Sequence, residues 1–224
     1  MDFFDLVLKK KYEDAYKIAN AEYTNDPNET NLRNRGDASL CLKHYGNALE
    51  DYLKVIQVTE GRADADFIRA GVSYWLIGNH TEAIDIWKKG LTTKYTDAAG
   101  GVEIPATLYF AAISQKNESL EKEAIKLLKK RWKSKAVVNW PGAIAGYLLD
   151  EVSADECIKA IGSDSLLSVR YLCQLYFYIA VKCLKAGDRV EYLNYLSRCA
   201  FSEMGYLEQE YYLAIGELDT INGK

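Results

Sequence analysis

The sequence predicts an all-α protein assembled from repeated helical hairpins, and three observations carry that prediction. Two segments, GDASLCLKHYGNALEDYLKVI from Gly36 and GVSYWLIGNHTEAIDIWKKGL from Gly71, align at an offset of about 35 residues. Only three prolines occur in 224 residues, which suits helices because proline removes a ladder hydrogen bond. Within the aligned segments the residues recur with the apolar periodicity of a helix after a polar turn, as in GNHTEAIDIW, where Asn79 or Thr81 is placed to cap the backbone donors.

Each element follows from the repeat. The two clear copies share a small residue (Gly36, Gly71), a polar turn, an alanine (Ala48, Ala83) and an aromatic four residues later (Tyr52, Trp87). A preceding copy has Phe3 in place of the small residue, with Tyr12, Ala15 and Pro27 matching the second helix and its exit. A degenerate copy lies at ATLYFAAISQKNESLEKEAIKLLKKRW, with Ala112 and Ala124 as its small residues and extra residues in the turn. Residues 136–168 are irregular; there Pro141 suits a first helical position and Ser153 to Glu156 has the form of a capping box. A last copy is placed at CQLYFYIAVKCLKAGDRVEYLNYLSRCA, with Gly187 in the turn and Tyr192 where alanine is expected, and YLEQEYYLAIGEL is a closing helix.

The small residue, alanine, aromatic and terminal proline at this period resemble the tetratricopeptide repeat, a helix–turn–helix unit of about 34 residues. The resemblance implies a right-handed solenoid of stacked antiparallel hairpins, about five in number, in which the aromatic fills the gap to the next hairpin. It covers 1–92 as clear repeats, 93–135 as a loop and degenerate repeat, and 169–224 as a degenerate repeat with a closing helix, all in a single domain. In this family the first helix of each repeat lines a concave groove that holds a partner segment. Carried over, the groove positions are Arg33, Asp37 and Leu40, then Ile68, Val72 and Trp75, then Tyr109 and Ile113, and finally Phe177 and Val181. They are more apolar than the lysine-and-asparagine clamp of carboxylate-binding members. Such a surface takes an apolar partner, is filled by the chain's own last helix, or is simply core. If the groove assignment holds, Trp75→Ala and Arg33→Glu leave melting unchanged.

Composition narrows the function. Hydrophobic residues at 49% and charged residues at 27% are those of an ordinary globular chain. A net charge of −4 argues against a dedicated nucleic-acid binder. The start, MDFFDLVLKKK, has the wrong order for a signal peptide, and no run reaches the length of a membrane span. Five cysteines without a CxxC pair (Cys41, Cys157, Cys173, Cys183, Cys199) read as reduced thiols of a cytoplasmic protein, with neither disulfides nor a metal site expected.

No catalytic motif is present: there is no GxSxG, HExxH or GxxxxGK[ST]. His44 and His80 fall at equivalent turns and read as exposed turn residues, and Asp64 and Asp66, two apart, face different sides of a helix. The stretch KYTDAAGGVEIP, 94–105, lacks the preceding strand and following Lys-Ser/Thr of a phosphate loop. It reads as the joint between clear and degenerate repeats, with Asp97 and Glu103 at the edge of the groove. The basic stretch 119–135 reads as a solvated helix face with lysines gathered at its C-terminal end, and the lysine- and arginine-free stretch 202–222 as an acidic end that steers charged partners.

Together these features indicate a non-catalytic protein-binding module with no cofactor, no nucleic acid and no membrane. Its concrete forms are an immunity-type protein that neutralises a cognate toxin and an adaptor in a larger assembly. A helical-repeat enzyme is the third reading and requires an active site that no motif supplies.

Overall fold

A computed structural model describes residues 2–223 except 163 and 164, with only the backbone of Ser165 and Leu166. Among the described residues the protein is all-α, and its single β-type pairing is an isolated bridge between Ala63 and Tyr95. Two compact units divide between Tyr95 and Thr96, inside the stretch that the sequence marks as a joint.

The first unit holds α1 (Phe3–Leu8), α2 (Tyr12–Asn25), α3 (Glu29–Cys41), α4 (Tyr45–Val58), α5 (Asp64–Leu76) and α6 (His80–Gly90). Each helix packs on the next, giving three stacked hairpins. The small residues do what their spacing implies. A methyl group on Gly36 would lie 2.9 Å from Tyr52 Cε1, and one on Gly71 would lie 2.1 Å from Trp87 Nε1. The aromatic therefore lies over the glycine of its own hairpin. Trp87 also donates Nε1–H to the Ile68 carbonyl at 3.1 Å, so its one polar atom is satisfied in the core. Ala15, Ala48 and Ala83 are fully buried at the helix contacts. The unit ends where the Tyr95 amide donates to Arg62 O (2.9 Å) and the Asp64 amide donates to Tyr95 O (3.0 Å).

The second unit holds α7 (Glu103–Ser114), α8 (Glu118–Trp132), α9 (Gly142–Leu148), α10 (Ala154–Ile161), α11 (Ser165–Ala186), α12 (Arg189–Ala200) and α13 (Gln209–Ile221), with single 3-10 turns at Lys135–Val138 and Gly205–Leu207. Here α11, 22 residues long, is a hub that packs on α7, α9, α10, α12 and α13.

One turn recurs in both units. Lys43, Gly78, Lys116 and Gly187 each have φ between 51° and 86°, the left-handed region. At each, the following amide reaches back into the helix just ended: His44 to Ser39 O, Asn79 to Tyr74 O, Asn117 to Ala112 O and Asp188 to Cys183 O, all at 2.8–2.9 Å. This is the Schellman closure of a helix C-terminus. It fixes the register of the degenerate copy. Matched at the turn, Tyr109 and Glu121 stand where Gly36 and Ala48 stand, not Ala112 and Ala124, and the turn has no extra residues.

Other expectations shift too. The Ser153–Glu156 capping box is present in full. By contrast, Asn79 precedes α6 without a side-chain cap, although Asn117 and Asp188, at the equivalent position after the same turn, cap α8 and α12. Pro141 sits one residue before α9, not at its first position. His80 is half-buried, its ring 4.1 Å from that of Trp75, so it is not an exposed turn residue. His44 is exposed.

The joint itself is organised by one side chain. Asp97 Oδ1 accepts from the amides of Ala99 and Gly101, both at 2.9 Å, and Oδ2 accepts from Glu103 at 2.8 Å. Gly100 and Gly101 take φ of 81° and 90°, as paired glycines permit. Asp97 is thus turned onto its own loop, with both carboxylate oxygens accepting backbone amides.

Candidate binding surface

In the first unit, α3 and α5 are joined by reciprocal ion pairs. Arg33 of α3 holds Asp66 of α5 in a fork, Nε–Oδ1 at 2.7 Å and Nη2–Oδ2 at 2.9 Å. In return Arg69 Nε of α5 lies 3.1 Å from Asp37 Oδ1 of α3. Four-residue spacing on α3 and three-residue spacing on α5 bring each pair onto one helix face. Asp37 also accepts the Tyr52 hydroxyl at 2.7 Å. Burial and the nearby Asp37 carboxylate push the Tyr52 phenol well up, so it stays a donor. The Arg33 guanidinium is held above its ordinary value by its hydrogen bonds to Asp66. A third fork, Arg35 to Asp51 at 2.9 and 2.6 Å, is completed by Asn20 and by the Tyr23 ring 4.5 Å from the guanidinium carbon.

The anticipated groove residues separate into two groups. Arg33, Asp37 and Ile113 are half-buried, whereas Leu40, Ile68, Val72, Trp75 and Tyr109 are buried. Trp75 lies 5.8 Å from Trp87 and beside His80, inside the α5–α6 hairpin. Phe177 and Val181 of the hub helix are buried as well. The apolar members are therefore packing residues, the core alternative that the sequence left open. Trp75→Ala would open a large hole in the core. Arg33→Glu would strand Asp66, whose side chain is 1% exposed, so neither substitution is neutral for melting.

What reaches solvent on the α3–α5 face is the charged ladder. Side-chain exposure is 34% for both Arg69 and Asp37. Asp66 and Arg69 were missed in the sequence because their partners lie about 33 residues away. The detectable signal is the sign reversal: Arg then Asp four residues on in α3, Asp then Arg three residues on in α5.

The second unit buries its own polar groups. Tyr109 and Glu121, in the places of the glycine and alanine, are met by Lys185 of α11, 2.7 Å from Glu121 Oε1 and 5.6 Å above the Tyr109 ring. Burial raises the Tyr109 phenol, while the bond to Glu121 raises the Lys185 ammonium. Deeper in, Glu208 is held by Arg170 and by Gln174 Nε2 at 2.7 Å, and Gln174 is held in turn by the Trp140 indole N–H. Glu210 accepts the Tyr178 hydroxyl at 3.1 Å, yet its Oε2 has no partner among the described residues. Burial, then the Glu208 carboxylate, pushes Glu210 up to about 8, so it is protonated at neutral pH. Both acids are buried, Glu208 at 4% and Glu210 at 1% exposure. The stretch 202–222 consequently projects less negative charge than its sequence implies.

Among the described residues, no helix is long and apolar enough to cross a membrane and no group of three His, Cys, Asp or Glu is placed to hold a metal ion. No family model matches the chain, and no curated protein is significantly similar to it.

Proposed function

We propose that the protein is a binding module that engages a partner protein through the α3–α5 face, in the manner the repeat resemblance implies. The observation that carries this reading is the Arg33–Asp66 and Asp37–Arg69 ladder, in which Arg33, Asp37 and Arg69 are 29–34% exposed over a buried Asp66 and a buried apolar base. Its side chains are already fixed by one another, so a partner meets oriented donors and acceptors without the ordering cost of free arginines. Arginine forks also suit planar recognition of carboxylates or backbone carbonyls. The cytoplasm is the compartment proposed.

Placing a photo-crosslinking residue at exposed Thr30, three residues before Arg33 on the same side of α3, tests the assignment in the native cell. The expected result is one stoichiometric protein adduct that is absent when the same residue is placed at exposed Glu50 of α4. Equal adducts at both positions, or turnover of a small molecule by the purified protein, would overturn the reading. A captured partner with a cytotoxic domain would make the module an immunity-type protein; a scaffold subunit would make it an adaptor.

A further inference from the structure

We infer that the outer face of α8 is a second docking surface, for an acidic segment of a partner protein, independent of the α3–α5 face. Leu120, Ala124 and Leu128 are the buried side of this helix. Opposite them, Lys122, Lys126, Lys129 and Lys130 are exposed, and Lys133 and Lys135 extend the row past the helix end. At 1.5 Å per residue, Lys122 to Lys133 span about 16 Å.

The helix dipole accounts for only part of this row. It favours cations in the last turn, where Lys129 and Lys130 lie, but Lys122 is in the second turn and Lys126 in the middle. Pairs such as Lys122 with Lys126 and Lys126 with Lys130 are like charges four residues apart, which destabilise a helix. None of the six lysines makes a salt bridge among the described residues. Of the acids on the helix, Glu121 is taken by Lys185, and Glu118 and Glu123, within four residues of Lys122 and Lys126, are two carboxylates against six lysines. A chain with net charge −4 thus keeps a strip on one face where lysines outnumber acids.

The chemistry of the strip selects its occupant. It presents no aromatic on which a base could stack, since Trp132 is half-buried with its ring against Gly146. Between Lys122 and Lys135 it exposes no large apolar side chain, and the lone exposed Val138 beyond its end is too little to anchor in a lipid interface. Lysines alone, at helical spacing, complement carboxylates at i, i+4, i+7 and i+11 of an acidic helix, or a short extended run of Asp and Glu.

The test is fluorescence anisotropy of the full chain with a labelled helical peptide carrying glutamates at those four positions. Saturable binding is expected at roughly 50 mM salt, weakened about tenfold at roughly 300 mM. K122E/K126E/K129E should weaken it by about tenfold or more, and K122Q/K126Q/K129Q, which keeps the helix-forming character of the face, should also weaken it. K9E/K10E/K11E, at the other exposed lysine cluster, should bind as the wild type does. The inference fails if the α8 variants bind like the wild type or no saturation is reached. It fails equally if charge-matched single-stranded DNA, or vesicles containing phosphatidylserine, bind more tightly than the peptide.

Discussion

The two units close their hairpins with the same left-handed turn but fill the space between the helices in opposite ways. In the first, a glycine on one helix receives an aromatic from the other, and each helix packs on its neighbours in sequence, with ion pairs joining α3 to α5 as well. In the second, the glycine position is Tyr109, and an apolar core that includes Phe110 and Phe177 is joined by polar side chains converging on the hub helix α11. The first solution depends on shape and the second on hydrogen bonding. Shape fails when a methyl group is added, and a buried polar network fails when a proton is removed.

The largest expected effect tests shape. Gly71→Ala forces a Cβ to within 2.1 Å of the Trp87 indole, so it should cost about 3 kcal/mol or more despite alanine's better helix propensity. Urea titration followed by hydrogen exchange should show the loss in α5 and α6. A variant as stable as the wild type would mean that the glycine–aromatic couple does not hold the hairpin.

The next effect tests the proton. Glu210 is raised from an ordinary carboxyl value to about 8, so between those values the folded state binds the proton that the unfolded state has released. Its contribution is therefore fully present below the unfolded value and is lost as pH rises towards about 8. Stability should fall by roughly 1 kcal/mol per pH unit or less across that window. Glu210→Gln, which mimics the neutral acid, should flatten the fall in a series of thermal melts from pH 6 to 8.5. An unchanged slope would remove Glu210 as its source.

The smallest effect tests the turn that the units share. Lys116 has φ of 51°, a region that costs a side-chain-bearing residue about 1 kcal/mol, so Lys116→Gly should stabilise by several tenths of a kcal/mol after the extra freedom of unfolded glycine is discounted. Gly187→Ala, at the equivalent site, should destabilise by a similar amount. Thermal melts of the two variants, moving in opposite directions, would sharpen the equivalence of the turns.

These contrasts show why the sequence was legible in one half and misleading in the other. Gly36 with Tyr52, Gly71 with Trp87, and the Ser153 capping box are local signals whose partners lie within one hairpin or one turn. The charged ladder was visible only by half: Arg33 and Asp37 were on the anticipated face, but Asp66 and Arg69 answer them from the next hairpin. Burial of Glu208 and Glu210 was invisible, because it depends on Arg170, Gln174 and Tyr178, more than thirty residues upstream. The degenerate repeat was misregistered because Tyr109, not a small residue, stands where the clear copies have Gly36 and Gly71.

The glycine–aromatic couple also carries a consequence for descent. Positions 71 and 87 share one volume, so neither can drift alone. A lineage that acquires alanine at 71 must already carry, or promptly select, a narrower ring or a branched aliphatic at 87. Positions 36 and 52, with a 2.9 Å approach and a tyrosine able to tilt, are the looser couple. Covariation in any set of divergent copies should therefore be stronger for 71 with 87 than for 36 with 52.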